Sequence, residues 1–397
     1  TGRLYASFSG TNDSGVDGVW ASPPGATSGD LGTWTRIAGV GAGGSPVGWN
    51  FEAPATTPPT AGGYGRVVLA IPPSDETLLY ALYWRNLNFT CGAPAPEAEL
   101  FRWDDVGGTW TDLSATLPDE VGCLTGNDPF AVQGGYDLVI AVKPDAAGTL
   151  FLGGTNAYRS TDAGLTWTRI GGYASPASYA IYTGSHPDIH SFVFQPGSPL
   201  IMLCGNDGGI QRTTDNTAGS VAWTPINTSY STYQYYYVTL DPRLGNTKVL
   251  GGAQDNGSTR NVLGAGTSFE MVAGGDGVSV GLTDDISGST YEYVGSQLGN
   301  IYRRSSASGL GFYDDITPEY ANTVTSAGLF VTVFRLDPDN SQILYYANDD
   351  TLYRTTTAST VTTASWTKMT GLAAAIGTTH DITAMATTRG TYSPAIA

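Results

Sequence analysis

Four short runs carry most of the side chains able to do chemistry. They are His186-Pro187-Asp188-Ile189-His190, Gly205-Asn206-Asp207-Gly208-Gly209-Ile210, Gly252-Ala253-Gln254-Asp255-Asn256-Gly257 and Gly274-Gly275-Asp276-Gly277. Carboxylates, amides and imidazoles gathered in one place suit a polyhydroxyl ligand or a cation. The ligand-binding candidates are therefore His186, His190, Asn206, Asp207, Gln254, Asp255, Asn256 and Asp276. Glycoside hydrolysis needs two carboxylates about 5 to 9.5 Å apart, and Asp188, Asp207, Asp255 and Asp276 are the catalytic candidates if the chain is a hydrolase. Histidines four residues apart on a strand share a side but lie roughly 13 Å apart, so a joint transition-metal site would need a bend. Oxygen-rich turns would favour calcium over zinc; no cofactor is required by the pattern. Asn-Asp-Gly and Asp-Asn-Gly are also what tight hairpins demand, because their central residues adopt positive φ, and that reading stands beside the functional one.

Aromatic side chains add a second kind of chemistry, since sugar rings stack on exposed aromatic faces. Trp49 lies in a Gly/Pro-rich connection over 38–65 and is a further ligand candidate. Tyr230, Tyr233, Tyr235, Tyr236 and Tyr237 crowd one short stretch. Strand alternation directs about half of such a set into a core. No Gly-x-Ser-x-Gly elbow precedes a helix, and no phosphate or dinucleotide loop stands out. Cys204 sits in the apolar run 200–204, where a buried hydrophobe is expected rather than a nucleophile.

The elements that must position these residues follow from an internal repeat. Trp34-Thr35-Arg36-Ile37, Trp110-Thr111-Asp112-Leu113, Trp167-Thr168-Arg169-Ile170, Trp223-Thr224-Pro225-Ile226 and Trp366-Thr367-Lys368-Met369 are copies of one motif. Phe269-Glu270-Met271-Val272 and Phe312-Tyr313-Asp314-Asp315-Ile316 are weaker copies. Upstream of most copies lie alternating apolar segments separated by turns, as at 138–142 and 150–153, then 157–160 and 166–170. Four short strands per repeat, seven times over, predict an all-β chain: a single seven-bladed β-propeller of four-stranded antiparallel blades. The blades fall at about 1–37 plus 380–397, 66–113, 136–170, 189–226, 233–272, 277–316 and 329–369. The segment 382–386 reads as a first strand and 4–8 as a second, so pairing of the two termini would close the ring and remove exposed sheet edges. In a blade, the start of the innermost strand and the turn between strands two and three share a face. This rule places the four polar runs together.

Composition limits the partners. Lys plus Arg number 18 against 35 Asp plus Glu, a net charge of −17, so there is no basic footprint for nucleic acid. The 53 Gly and 22 Pro call for many turns and few long helices. No run of about 18 apolar residues spans a membrane. The chain begins at Thr1 without Met, which suggests a processed or excised product.

Ser160-Thr161-Asp162-Ala163-Gly164-Leu165-Thr166-Trp167 resembles the Asp-box, or BNR repeat, of sialidases, xyloglucan-active glycosidases and sortilin-type receptors. The resemblance implies a structural role: Ser160, Asp162, Gly164, Thr166 and Trp167 would form a turn whose Asp accepts backbone N–H bonds while the Trp packs between blades. The four polar runs together are similar to secreted bacterial propellers of the sialidase- and xyloglucanase-like superfamily. The Arg-Ile-Pro motif of sialidases is absent, and xyloglucan-active relatives set their carboxylates between two propellers where this chain supplies one.

Three functions follow. The leading reading is an extracellular or cell-surface binding scaffold recognising glycan or protein, with long loops at 38–65, 86–98 and 114–135 presenting the contacts. The alternatives are a sialidase- or xyloglucanase-like glycoside hydrolase acting at the axial mouth, and a structural subunit of a surface assembly. Of three cysteines, Cys91 and Cys123 fall in loops on one face and are expected to form a disulfide, which would mark an oxidising, secreted or cell-surface location.

Overall fold

The computed structural model describes residues 3–8, 18–25, 33–39, 66–84, 97–118, 130–175, 178–182, 185–229, 233–261, 268–306, 313–319, 328–348, 350–376, 381–387 and 390. Trp49, Cys91, Cys123 and Tyr230 lie outside them.

The chain is an all-β propeller whose blades are consecutive antiparallel meanders. Blade 1 has three strands, Tyr5–Phe8, Gly18–Ala21 and Thr35–Ala38. The other six have four each. Blade 2 runs Val67–Ala70, Leu78–Trp84, Ala98–Asp104, Thr109–Asp112, and blade 3 runs Val139–Val142, Leu150–Gly153, Ala157–Ser160, Thr168–Gly171. Blade 4 follows with Ile189–Gln195, Ser198–Asn206, Gly209–Thr213 and Thr224–Pro225. Blade 5 comprises Tyr235–Leu240, Val249–Ala253, Gly257–Asn261 and Phe269–Ala273; blade 6 comprises Gly277–Leu282, Tyr291–Ser296, Asn300–Ser305 and Asp314–Asp315. Blade 7 is Val333–Leu336, Leu344–Asn348, Thr351–Thr355 and Thr367–Lys368. Two compact units divide the chain, residues 1–231 with blades 1–4 and residues 232–397 with blades 5–7.

Within each unit the blades pack face to face, and the cores lie between them. Leu79, Phe101 and Trp103 of blade 2 meet Val19 and Ile37 of blade 1, while Tyr80, Leu82 and Leu100 meet Leu138, Ile140, Leu150 and Leu152 of blade 3. Central strands are thus covered on both sides, and Leu79 through Tyr83 form an unbroken buried run. The repeated Trp fastens neighbouring blades. Trp110 Nε1 donates to the Ile37 carbonyl at 2.8 Å, Trp223 to Ile170 at 2.7 Å, and Trp366 to Ile316 at 2.7 Å. Each bond joins a residue in or next to the last strand of one blade to one in or next to the last strand of the blade before. Trp167 packs into the same kind of slot, but Thr116 Oγ1 already donates to the Leu113 carbonyl, and the indole N–H has no partner among the described residues.

Two features depart from the sequence reading. The strand read over 382–386 is not formed: residues 381–387 lie outside any strand, and Ile382 and Met385 are their only large apolar side chains, too little surface to hold an edge. A hairpin of Tyr173–Ser175 with Ser178–Tyr182 follows blade 3, where only a connection was expected.

Candidate functional site

In the first unit, the turn that enters blade 3, the strand that opens blade 4 and the turn inside blade 4 bring four titratable side chains together. Asp137 ends the connection into Val139–Val142. Asp188 and His190 flank Ile189, the first residue of Ile189–Gln195, and Asp207 follows Asn206 at the end of Ser198–Asn206. Backbone bonds fix this junction: Asp188 N–H donates to the Thr155 carbonyl at 3.0 Å, Ile189 N–H to Gly154 at 2.9 Å, and Asp207 N–H to Asp188 at 3.2 Å. Gly154 permits the approach, since a Cβ there would lie 2.5 Å from the Ala131 carbonyl oxygen. Gly208 does the same for His186, whose ring carbon would lie 2.5 Å from a Cβ at that position.

The His190 imidazole stands between two carboxylates. Its Nε2 hydrogen-bonds Asp207, and its Nδ1 lies 3.9 Å from Asp137 Oδ1. Asp137 is fully buried, its oxygens accept no hydrogen bond from a described donor, and its carboxyl instead faces Asp188, with which it shares a side-chain hydrogen bond when protonated. Burial first, then the Asp188 charge, pushes its carboxyl up to about 8, so at neutral pH the proton stays on. Asp188 rises to about 6 for the same reasons, burial and then Asp207. The Asp207 hydrogen bond lifts His190 above its ordinary value against the opposing effect of burial. Gln133 Nε2 donates to Asp188 Oδ1 at 2.6 Å. Gln133 and Asp188 both hold positive φ, 44° and 61°, and such strain collects where surrounding structure over-determines a functional arrangement.

Solvent reaches this cluster from one side. The side chain of His190 is 33% exposed and that of Asp207 17%, whereas Asp137 is sealed behind them. The exposed Tyr136 ring meets the His190 ring edge-on at 4.8 Å, and the exposed Tyr182, at the end of the unexpected hairpin, lies 4.8 Å from the His186 ring. Arg66 of blade 2 holds the Tyr136 carbonyl at 3.0 Å, and buried Glu97 accepts the Val132 N–H at 2.6 Å, so the segment carrying Asp137 is pinned from a third blade. The result is a proton donor and acceptor set, His190, Asp188 and Asp207, with flat apolar surface beside it.

The remaining expected residues are placed differently. Asn206 is buried and spent internally, on Gln211 Oε1 at 3.0 Å and the Gly208 N–H at 3.1 Å. His186 turns Nδ1 to the Pro187 carbonyl at 2.9 Å. In the second unit, Asp276 Oδ1 accepts the Asp255 N–H at 2.8 Å while its own N–H donates to Gln297 Oε1 at 3.0 Å. Tyr236 Oη donates to Gln254 Oε1 at 2.5 Å, and Asn256 Nδ2 to the Gln254 carbonyl at 3.1 Å. These bonds lock the blade 5 turn, in which Asp255 has φ of 58°. Among the described residues no group of three or more His, Cys, Asp or Glu is arranged to hold a metal ion. Cys204 is fully buried in the blade 3 to 4 core, and burial pushes its thiol up to about 11. Asp162 Oδ1 accepts the Leu165 and Thr166 N–H groups at 3.1 and 2.9 Å, and Thr166 Oγ1 donates to Oδ2 at 2.6 Å.

Sequence reasoning missed Gln133, Tyr136, Asp137 and Tyr182. One signal was available: Asp137 precedes the inner strand of its blade just as Asp188 and Asp276 precede theirs.

No family model matches the chain. The xyloglucanase Xgh74A of Acetivibrio thermocellus is 27% identical over 183 residues, a match covering 41% of this chain and 20% of that protein. The aligned stretch is thus about a fifth of the relative's length. Among solved structures, the GH74 enzyme of Niastella koreensis aligns over 92% of this chain and 53% of its own, with 13% identity and a TM-score of 0.37. YCF48 from Cyanidioschyzon merolae aligns over 76% and 83%, with 13% identity and a TM-score of 0.24. Among the described residues no helix is long and apolar enough to cross a membrane.

Proposed function

We propose that this protein is a secreted or cell-surface glycan-recognition propeller whose ligand site is the blade 3 to 4 cluster. The observation that carries the reading is the solvent-reaching His190–Asp207 pair set over the buried Asp137 carboxyl and its neighbour Asp188. The His190 imidazole and the Asp188 and Asp207 carboxyls offer both donors and acceptors to sugar hydroxyls, and the exposed Tyr136 and Tyr182 rings offer stacking faces. Similarity to a protein named as a xyloglucanase supports carbohydrate as the ligand class. A glycan array that includes xyloglucan oligosaccharides, followed by calorimetric titration, tests it. Binding should weaken at least about tenfold in His190→Ala and Asp207→Asn, the loss expected for one charge-assisted hydrogen bond. Full binding by both variants, or no glycan retained, would overturn it.

A second reading, hydrolysis at the same site, is favoured by the pairing of two neighbouring acidic groups in different surroundings, Asp137 enclosed and Asp188 beside the solvent-reaching His190–Asp207 pair, with burial raising both. Asp188 is then the group that meets substrate, because Asp137 is enclosed. Reducing ends released by the native protein and not by Asp188→Asn would select it over binding alone.

A further inference from the structure

The junction between blades 5 and 6, inside the second unit, lacks the wedge seen elsewhere. Tyr313 stands where Trp110, Trp223 and Trp366 stand in their blades, and Val272 stands where Ile37, Ile170 and Ile316 offer a carbonyl. The phenol does not reach across: Tyr313 Oη donates to Glu292 Oε2 at 2.8 Å. Among the described residues the core here has three buried apolar side chains, Leu250, Leu282 and Val294, against nine or more at each of the other four apolar clusters. Beside the smaller Tyr313 ring lies a groove of about 610 Å³, lined on its apolar side by Met271, Val272, Tyr302 and Tyr313. That volume falls within the range of small-molecule sites, about 300 to 1,000 Å³.

The floor of the groove is charged. Buried Glu292 is bonded by Lys248, Arg260 and Arg304, and Arg260 also engages Glu270. Lys248 also lies within electrostatic reach of Asp241, so the buried network is close to neutral, and of its members Arg260, Glu270 and Arg304 line the groove. Glu292, though buried, is held down at about 2 by these partners, so the network is ionised at every working pH. Arg260 spends its fork on the two glutamates, at Nε, Nη1 and Nη2. Arg304 commits Nη2 alone; its Nε and Nη1 have no partner among the described residues, its face lies 4.9 Å from the Tyr313 ring, and it lines the groove with a side chain 7% exposed.

We infer that this groove binds an aromatic carboxylate, the ring entering the space beside the Tyr313 ring and the carboxylate taking the uncommitted edge of Arg304. A planar ring suits a gap between stacked sheets, and Met271, Val272 and Tyr302 supply its apolar contacts. The planar edge of the Arg304 guanidinium, with Nη2 alone committed to Glu292, has the geometry that a carboxylate takes. The chemistry is shared by a free aromatic acid and by a polypeptide ending in an aromatic residue. The site is separate from the blade 3 to 4 cluster and does not depend on the function proposed there.

Calorimetric titration of the intact chain with N-acetyltryptophan, its amide, N-acetylalanine and the tripeptide Ala-Ala-Trp tests the assignment. The acid should bind, the amide about tenfold more weakly because it cannot form the charged bond, and N-acetylalanine not at all. Arg304→Gln should weaken the acid about tenfold and leave the amide unchanged. Tyr313→Trp should restore the wedge, raise the thermal midpoint and abolish binding of both, which keeps the test decisive if Arg304→Gln unfolds. Tighter binding of Ala-Ala-Trp than of N-acetyltryptophan identifies a chain end as the ligand, and the reverse order a free acid. Absence of binding by the acid and the tripeptide at millimolar concentration, equal affinity for acid and amide, or undiminished binding in Tyr313→Trp would overturn the inference.

Discussion

Replacing Asp137 by Asn should stabilise the protein in neutral and alkaline solution and barely affect it in acid. Burial first, and then the charge of Asp188, pushes the native carboxyl up to about 8, against an ordinary value of 3.8 in the unfolded chain. Between these values the folded state holds a proton that the unfolded state has released, so stability falls as pH rises through the window and is restored below it. Each pH unit costs about 1.4 kcal/mol at most, and because Asp137 titrates together with Asp188 the native protein should lose on the order of a few kcal/mol from pH 5 to pH 8 that the Asn variant keeps. At pH 5 a protonated carboxyl and an amide differ little, and the two proteins should agree within about 1 kcal/mol. Urea unfolding of both at pH 5, 6, 7 and 8 measures this directly. Parallel stability curves, or a variant less stable than the native protein at pH 8, would refute the reasoning, and with it the claim that Asp137 is protonated behind His190.

Asp162→Ala should cost about 1–3 kcal/mol in urea unfolding through the stranded Leu165 and Thr166 N–H groups, with glycan binding unchanged. Its carboxyl is held at about 2 by the Thr166 hydroxyl and backbone, so this contribution is present above about pH 4 and should fade as pH falls toward 2. Trp223→Phe keeps most of the buried ring and loses the bond to Ile170, for a calorimetric cost of about 1 kcal/mol, whereas Trp223→Ala should cost about 3–5 kcal/mol by opening the blade 3 to 4 core. Intact-mass analysis with and without reductant should show Cys91 and Cys123 bridged, with Cys204 remaining a thiol.

The sequence by itself determined the repeat. The Trp-Thr copies at 110, 223 and 366 mark the outer strand of their blades, because a residue that must wedge between stacked sheets and bond a carbonyl leaves a large, invariant-looking side chain at a fixed phase. Polar turn residues were legible for the same reason: positive φ at Asp188 and Asp255 and close approaches at Gly154 and Gly208 restrict residue choice locally. Strand identity at 382–386 was not legible, since alternation of small residues looks alike whether or not a neighbour covers it. Which polar side chains keep atoms free toward solvent was decided only in three dimensions. Asn206 and Asp276 carry the same side chains as good ligands, yet one is buried in its own turn and the other bonds a neighbouring blade's backbone. Asp137 drew no notice in the sequence and became the centre of the site, because burial and the charges of Asp188 and His190 come from another blade. The blade 5 to 6 groove shows the same division: the sequence marked Tyr313 as a weak copy of the repeat, and only packing shows that a groove lies beside its ring and an arginine with bonds to spare.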